Sequence, residues 1–143
     1  MATLTAANAV IMLVIPNLFP VPQQLQGFAA DDVFTTGVVR PVETLMGVDG
    51  ILSGGWTAQP KVWTLALQAD SPSVVVFDAW YQAQEQARET MLASGNITLA
   101  AVNMSYTMLR GFLTGPMILP DARRILQPRR FEITWGSIIG SPI

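Results

Sequence analysis

The chain has 143 residues, of which 50% are apolar and 13% are charged, and its formal net charge at pH 7 is -2. This length fits a single domain, residues 1–143, with one hydrophobic core, and the charged fraction is about half that of an average soluble domain. Because the sequence contains no histidine and no cysteine, Ser-His-Asp, Cys-His and histidine-based metal sites are excluded. We expect no catalytic residue, no cofactor and no metal, and we expect apolar surface to be buried against other subunits.

The acidic balance argues against a general nucleic-acid binder, which would carry a basic face. The most apolar run, from Ala6 to Ile15, ends before Pro16 and is shorter than the roughly 20 residues that a membrane-spanning helix needs. The first basic residue is Arg40, so the beginning of the chain lacks the positive region of a signal peptide. We therefore predict no membrane association.

The N-terminal part of the chain reads as strands interrupted by turns. Residues 8–15 are rich in Val and Ile and predict a buried strand, and the prolines at positions 16, 20 and 22 predict a loop after it. From Gln24 to Val42 short apolar runs alternate with Gly and Asp, which indicates strand pieces around a turn or bulge.

A glycine-rich segment, residues 47–60, has the composition of a loop, with a short strand possible at residues 51–53. The next segment, Lys61 to Gln68, alternates and predicts a strand. One of its faces carries Trp63, Leu65 and Leu67.

A single helix is predicted over residues 72–94. Ser71 or Ser73 can cap it, Pro72 suits its first turn, and Gly95 can supply a left-handed cap at its end. An apolar stripe at three- and four-residue spacing indicates that the helix packs on a sheet. The stripe consists of Phe77, Trp80, Ala83, Ala87 and Met91.

Three more strands are predicted at residues 97–101, 105–114 and 130–138. The last one places Phe131, Ile133 and Trp135 on one face. Many strands and one flanking α-helix predict a mainly β fold, an antiparallel β-barrel or sandwich.

Five residues are candidates for contacts between subunits. Trp56 is a large apolar ring within the glycine-rich segment, which favours an interface over exposure to water. The planar guanidinium of arginine suits interfaces between subunits, although a solvated face is an equally good interpretation because exposed ion pairs contribute only about 0 to 1 kcal/mol. These arginines are Arg123, Arg124, Arg129 and Arg130.

The order of several short motifs resembles the tail tube proteins of bacteriophages with long contractile tails, and the related tube proteins of type VI secretion and pyocin-like machines. The resemblance extends over most of the chain from about Leu25 onward. It is carried by Gly50–Trp56, Leu67–Ser73, the helix with Phe77, Trp80 and Arg88-Glu89, Gly111–Thr114, Leu126–Arg129 and Phe131–Trp135.

The resemblance implies a β-barrel-like domain that forms hexameric rings, which stack into a hollow tube for DNA ejection. It implies that the partners are further copies of the chain, the tail sheath protein, the baseplate and tail terminator proteins, and the tape measure protein during assembly. The DNA would pass through the lumen without specific binding. It also implies a location in the virion tail after assembly in the bacterial host cytoplasm. The N-terminal arm, residues 1–7, and the glycine-rich segment are the candidates for contacts between rings.

An acidic or neutral lumen would keep DNA off the wall of such a tube. Asp31, Asp32 and Asp49 are candidates for facing the channel, and ordinary turn residues are the alternative interpretation. Two other functions remain open: a tail terminator or baseplate ring protein of the same fold, and a β-barrel, monomeric or dimeric, that encloses a small apolar ligand.

Overall fold

The computed structural model describes residues 9–29 and 33–143, which form nine strands and one α-helix. The elements in chain order are β1 (Ala9–Ile15), β2 (Phe19–Gln24), β3 (Phe34–Thr36), β4 (Val42–Met46), β5 (Leu52–Trp56), β6 (Lys61–Leu67), α1 (Val74–Ala87), β7 (Ala93–Leu99), β8 (Met104–Pro116) and β9 (Arg129–Pro142). A single 3₁₀ turn, Ala100–Val102, joins β7 to β8.

Seven strands form one antiparallel sheet in the order β2-β1-β7-β8-β9-β6-β3, and β4 and β5 form a separate hairpin. The predicted mainly β fold with one helix is confirmed. Within the described residues β2 and β3 remain edges and do not pair with each other, so the sheet is open, and the predicted barrel or sandwich is not confirmed.

The core lies between one face of the sheet and α1. Alternate residues of β1, β6 and β9 point into it, as the period of two in a strand requires. Phe77 of the helix stacks on Phe131 of β9 with ring centroids 4.4 Å apart, and Trp63 and Trp135 meet edge to face at 6.2 Å. The helix therefore covers the sheet on its core side, and within residues 9–29 and 33–143 no helix lies over the other face of β1, β7 and β8.

Several strand predictions are confirmed. β1 and β6 lie where the apolar patterns placed them, and the face with Trp63, Leu65 and Leu67 is the buried one. The prediction of a loop with prolines after β1 is wrong, because residues 19–24 form the edge strand β2. Pro20 and Pro22 are compatible with this position, since an edge strand has one side that needs no donor.

The helix is shorter than predicted. It begins at Val74 and ends at Ala87, and Arg88 adopts the left-handed conformation at its C-terminus with φ of 53°. Gly95 does not cap it but lies within β7, where a Cβ would come within 3.0 Å of the Met108 side chain. Two hydrogen bonds hold the segment after the helix: the Trp80 indole donates to the carbonyl of Met91, and the amide of Met91 donates to the Gln84 side chain.

Ser71 and Ser73 also act differently from the prediction. Neither side chain caps the helix. The Ser73 hydroxyl accepts a hydrogen bond from the amide of Gln26 at 2.7 Å, and the Ser71 hydroxyl donates to the carbonyl of Gln26. Gly27 has φ of +71°, and a Cβ there would lie 2.6 Å from the Ser71 Oγ. The two serines therefore fix the segment after β2 against the start of α1.

Candidate assembly surfaces

The hairpin of β4 and β5 is the most exposed element that the structure describes. Its five cross-strand pairs run from Val42 opposite Trp56 to Met46 opposite Leu52. At the turn, the amide of Gly50 donates to the carbonyl of Gly47 at 3.0 Å. Gly50 has φ of +86°, which glycine adopts without strain. Residues 42–56 thus form a regular hairpin, where the sequence suggested a loop from residue 47 onward.

The hairpin exposes large apolar side chains. Every residue of both strands is exposed. An isolated two-stranded hairpin is marginally stable in water unless it packs against something else, and exposed apolar patches mark interaction sites. This surface, which we call the apolar hairpin, carries Val42, Leu45, Met46, Val48, Ile51, Leu52 and Trp56.

Two of the predicted site residues lie in this hairpin. Trp56 is 71% exposed at the end of β5, next to the base of the hairpin. Asp49 is at the tip, where its carboxylate accepts a hydrogen bond from the amide of Ile51 at 3.1 Å. The Asp49 side chain therefore has a local part in the turn, as an Asx turn does.

A second exposed apolar surface is the loop between β8 and β9, residues 117–128. Arg123 and Arg124 lie in it and are exposed. The amide of Gln127 donates to the carbonyl of Asp121, and Ala122 and Leu126 form an isolated bridge, so the loop folds back on itself. Its exposed apolar side chains are Ile118, Leu119, Ile125 and Leu126.

Arg129 is buried, with 4% of its surface exposed, and its guanidinium is engaged within the chain. It forms a bidentate pair with Asp78 of α1, with N–O distances of 2.8 and 3.3 Å. It also donates to the carbonyls of Met117 and Ile118 and lies 5.1 Å from the centroid of the Phe131 ring. Arg129 therefore joins the helix, β9 and the start of the loop in one subunit.

Arg130, the neighbouring residue, is exposed on β9 opposite Ala66. Its amide lies 3.4 Å from the sulfur of Met117. The structure thus separates the four predicted arginines: three are at the surface, and one is inside. Alternation along β9 separates Arg129 from Arg130, since successive residues of a strand face opposite sides of the sheet.

An open cleft of about 420 Å³ lies on the core side of the sheet, between β3 and the strands β7 and β8. Its lining includes Phe34, Val39, Leu99, Tyr106 and Ile138. The cleft is mainly apolar and lies beside the segment that leads into the apolar hairpin.

The remaining predicted positions fall on residues outside the described ranges. These are Asp31, Asp32 and the N-terminal arm, residues 1–7. Within residues 9–29 and 33–143, no group of His, Cys, Asp and Glu side chains is arranged to hold a metal ion. In the same part of the chain, no helix has the length and apolar character needed to span a bilayer.

The fold is similar to chains in several solved contractile injection particles. A chain of the sheath-tube complex of an extracellular contractile injection system, PVC, in the extended state, has a TM-score of 0.66 at 11% identity, over 99% of this chain and 93% of that one. A chain of the tube-terminating cap of the anti-feeding prophage has a TM-score of 0.68 at 13% identity, over 100% of this chain and 93% of that one. A chain of the baseplate of the same prophage has a TM-score of 0.59 at 14% identity, over 99% of this chain and 98% of that one.

At the level of sequence, no protein of curated function matches this chain. A family model does, over residues 2–139, and its description is tail fiber protein gp32. Because this match extends over nearly the whole sequence, the chain belongs to the tail fiber protein gp32 family.

Proposed function

We propose that this protein is a non-enzymatic structural subunit of a tail or injection particle, which forms hexameric rings with a central channel that stack into a tube. The observation that carries this proposal is the similarity of fold along the full length of the chain. The same fold occurs in chains from a sheath-tube complex, a cap and a baseplate. None of the three descriptions names an enzyme.

The family description and the fold point to different parts of a tail. The description names a tail fiber protein, whereas the solved structures are a sheath-tube complex, a baseplate and a tube-terminating cap. We favour a tube-type subunit over a fiber because chains of the sheath-tube complex, the baseplate and the cap all match this fold over 99% or more of the chain.

The apolar hairpin supports assembly with further copies. It exposes seven large apolar side chains, and burial of apolar area drives most protein association. We propose that it contacts a neighbouring copy, and that the N-terminal arm, residues 1–7, bridges successive rings. The sheath, the baseplate and the terminator would be the other partners, the tape measure protein would act during assembly, and DNA would pass through the lumen. The stacked rings would be part of the virion tail, and they would assemble in the host cytoplasm.

A terminator or baseplate ring of the same fold is the main alternative, and it is supported by the matches to the cap and the baseplate. Such a protein would stop at one ring. The open apolar cleft favours a third function, the binding of a small apolar ligand, because ligand sites are usually apolar concavities. A ligand-binding protein would remain monomeric or dimeric and would melt at a higher temperature with its ligand present.

Negative-stain electron microscopy of the purified protein over a range of concentrations tests the proposal. We expect rings at moderate concentration and tubes at high concentration. Single rings that never stack would indicate the terminator or baseplate function. Dispersed monomers at every concentration, with a melting temperature that rises with apolar ligands, would contradict a structural function.

A further inference from the structure

The open cleft on the core side of the sheet lies beyond the part that α1 covers. The helix packs over the start of β9, where Phe77 stacks on Phe131. Ile138, which lines the cleft, follows Phe131 along the same strand by roughly 20 Å, at about 3.3 Å per residue. β6 begins at Lys61, opposite Trp135, so β9 continues past the start of β6 with β8 as its partner. The cleft is therefore a part of the core face that the described elements leave open.

The lining of this cleft is mainly apolar. Trp63, Ile97 and Met108 line it and are buried, with at most 4% of their surface exposed. Leu99 and Tyr106 line it and are half-buried. The volume of about 420 Å³ lies within the range of roughly 300–1,000 Å³ that is typical of small-molecule sites. Such a concavity fits the apolar part of a small ligand.

The cleft carries one positive charge. Lys61 is the only charged residue in its lining and the only lysine of the sequence. The Lys61 ammonium has three N–H donors, and one of them donates to the carbonyl of Gly136 at 3.3 Å. Among residues 9–29 and 33–143, no carboxylate forms an ion pair with it. The charge at the cleft is therefore uncompensated and favours an anion.

A second donor without an acceptor lies near Lys61. Trp63 is two residues further along β6, on the same side of the strand. Its indole N–H is buried and has no hydrogen-bond partner in the part of the chain that the structure describes. Buried donors nearly always have a partner, so this N–H is a second group that favours a ligand with an acceptor oxygen.

We propose that the cleft binds a single-chain anionic amphiphile, such as a medium-chain fatty acid. The carboxylate would pair with Lys61, and the alkyl chain would lie against Leu99, Tyr106 and Ile138. Burial of the methylene groups supplies the affinity, and the charge of Lys61 selects the anion. All residues of this site belong to one subunit, so the inference goes beyond the proposed function and does not depend on formation of a ring.

Calorimetric titration of the dilute full chain with decanoate, below its critical micelle concentration, tests the proposal. We expect one saturable site. Octanoate should bind about tenfold more weakly, because two methylene groups are lost. Decanol should bind on the order of fivefold more weakly, because it lacks the ion pair with a partly exposed lysine. Equal affinities for decanoate and decanol, or saturable binding of decylammonium, would overturn the assignment of an anionic ligand.

Two neighbouring valines locate the site. Val39 lines the cleft, whereas Val38 is 81% exposed and is not part of the lining. We expect Val39→Trp to fill the cleft and to weaken decanoate binding at least about tenfold, since the methylene groups lose their place against the apolar lining. Val38→Trp is the matched control and should bind as the wild type does. Equal affinities of the two variants would place the ligand elsewhere and overturn the inference.

Lys61→Gln tests the charge without changing the apolar lining. We expect this variant to bind decanoate as weakly as the wild type binds decanol, and to bind decanol with unchanged affinity. Arg124→Gln removes an exposed positive charge in the loop between β8 and β9 and should leave both affinities unchanged. Thermal melting shows whether each variant is folded. An unchanged preference of Lys61→Gln for decanoate would overturn the assigned ion pair.

Other occupants of the cleft give different results. If only protein that lacks residues 1–7 binds decanoate, the N-terminal arm covers the cleft and the inference is wrong. Binding to phosphatidylglycerol vesicles without binding of free decanoate would indicate a membrane surface and would also overturn it. Tubes formed by a protein that does not bind decanoate leave the proposed function standing, whereas decanoate binding at the cleft of a protein that forms no rings leaves only the inference standing.

Discussion

The indole ring of Trp135 lies against the backbone of Gly111, its partner in the β8–β9 register, so closely that no side chain fits between them. A Cβ on Gly111 would be 2.5 Å from Cζ3 of that ring. We predict that Gly111→Ala lowers the free energy of unfolding by about 1–3 kcal/mol through overpacking. Urea unfolding of dilute protein measures this. Gly37→Ala, where a Cβ would have no neighbour within 4 Å, is the control, and equal effects of the two changes would contradict the prediction.

Truncation of Trp135 itself should be costly. Its side chain is fully buried, so we expect Trp135→Ala to cost about 3–5 kcal/mol. In the Trp135→Ala background the ring that excludes a Cβ at position 111 is gone, and Gly111→Ala should cost much less than in the wild type. A double-mutant cycle from urea unfolding gives the coupling, and simple additivity would contradict the proposed contact.

The ion pair of Arg129 and Asp78 should stabilise the subunit. Asp78→Ala leaves a buried guanidinium with only its carbonyl partners, and we expect a loss of about 1–3 kcal/mol. Glu85→Ala is the matched control on the same helix, where the side chain is exposed and the change should stay within about 0.5 kcal/mol. Chemical denaturation of both variants makes the comparison, and indistinguishable midpoints would show that the pair contributes nothing.

The apolar hairpin should affect assembly and not folding. Because Trp56 is 71% exposed in the single subunit, Trp56→Ser should change the stability of dilute protein by no more than about 0.5 kcal/mol. It should raise the concentration at which rings appear at least about tenfold, since buried Trp residues are frequent hot spots worth 2 kcal/mol or more. Sedimentation velocity measures this threshold.

The control for Trp56 is Val75→Ser, which removes an apolar side chain that is 66% exposed on the helix. We expect this variant to assemble as the wild type does. Assembly of Trp56→Ser at the wild-type threshold would show that the indole makes no contact between copies.

Removal of residues 1–7 should separate ring formation from stacking. If the N-terminal arm bridges rings, the truncated protein will form rings and few tubes in negative-stain images. A truncated protein that polymerises normally would contradict this function of the arm.

The alternation of apolar residues predicted the central strands because one face of each of these strands is buried in the core. The alternation in β6 and in β9 is visible in the sequence, and the residues that the pattern placed inside, such as Leu65 and Ile133, are fully buried. The sequence did not reveal β2. Its prolines cannot donate backbone hydrogen bonds, so they predict that strand pairing stops there. Only the sheet order, which depends on long-range pairing, shows that this segment is an edge strand.

The end of the helix depends on contacts that local sequence does not contain. Gly95 is the residue type that often caps a helix, but the helix ends before Arg88. The segment after it is fixed by the hydrogen bonds of Met91 with Trp80 and Gln84. The same limit applied to the arginines. Arg129 is identical in type to its neighbour, and its burial beside Asp78 depends on how the helix packs against β9.

The apolar hairpin also has a consequence for how such a particle responds to temperature. Association through Leu45, Val48 and similar side chains removes apolar surface from water, and this driving force weakens on cooling. If copies join through the apolar hairpin as proposed, their rings would lose cohesion in the cold and regain it on warming. Subunits prepared on ice would then be dispersed, and a rise in temperature would start their polymerisation.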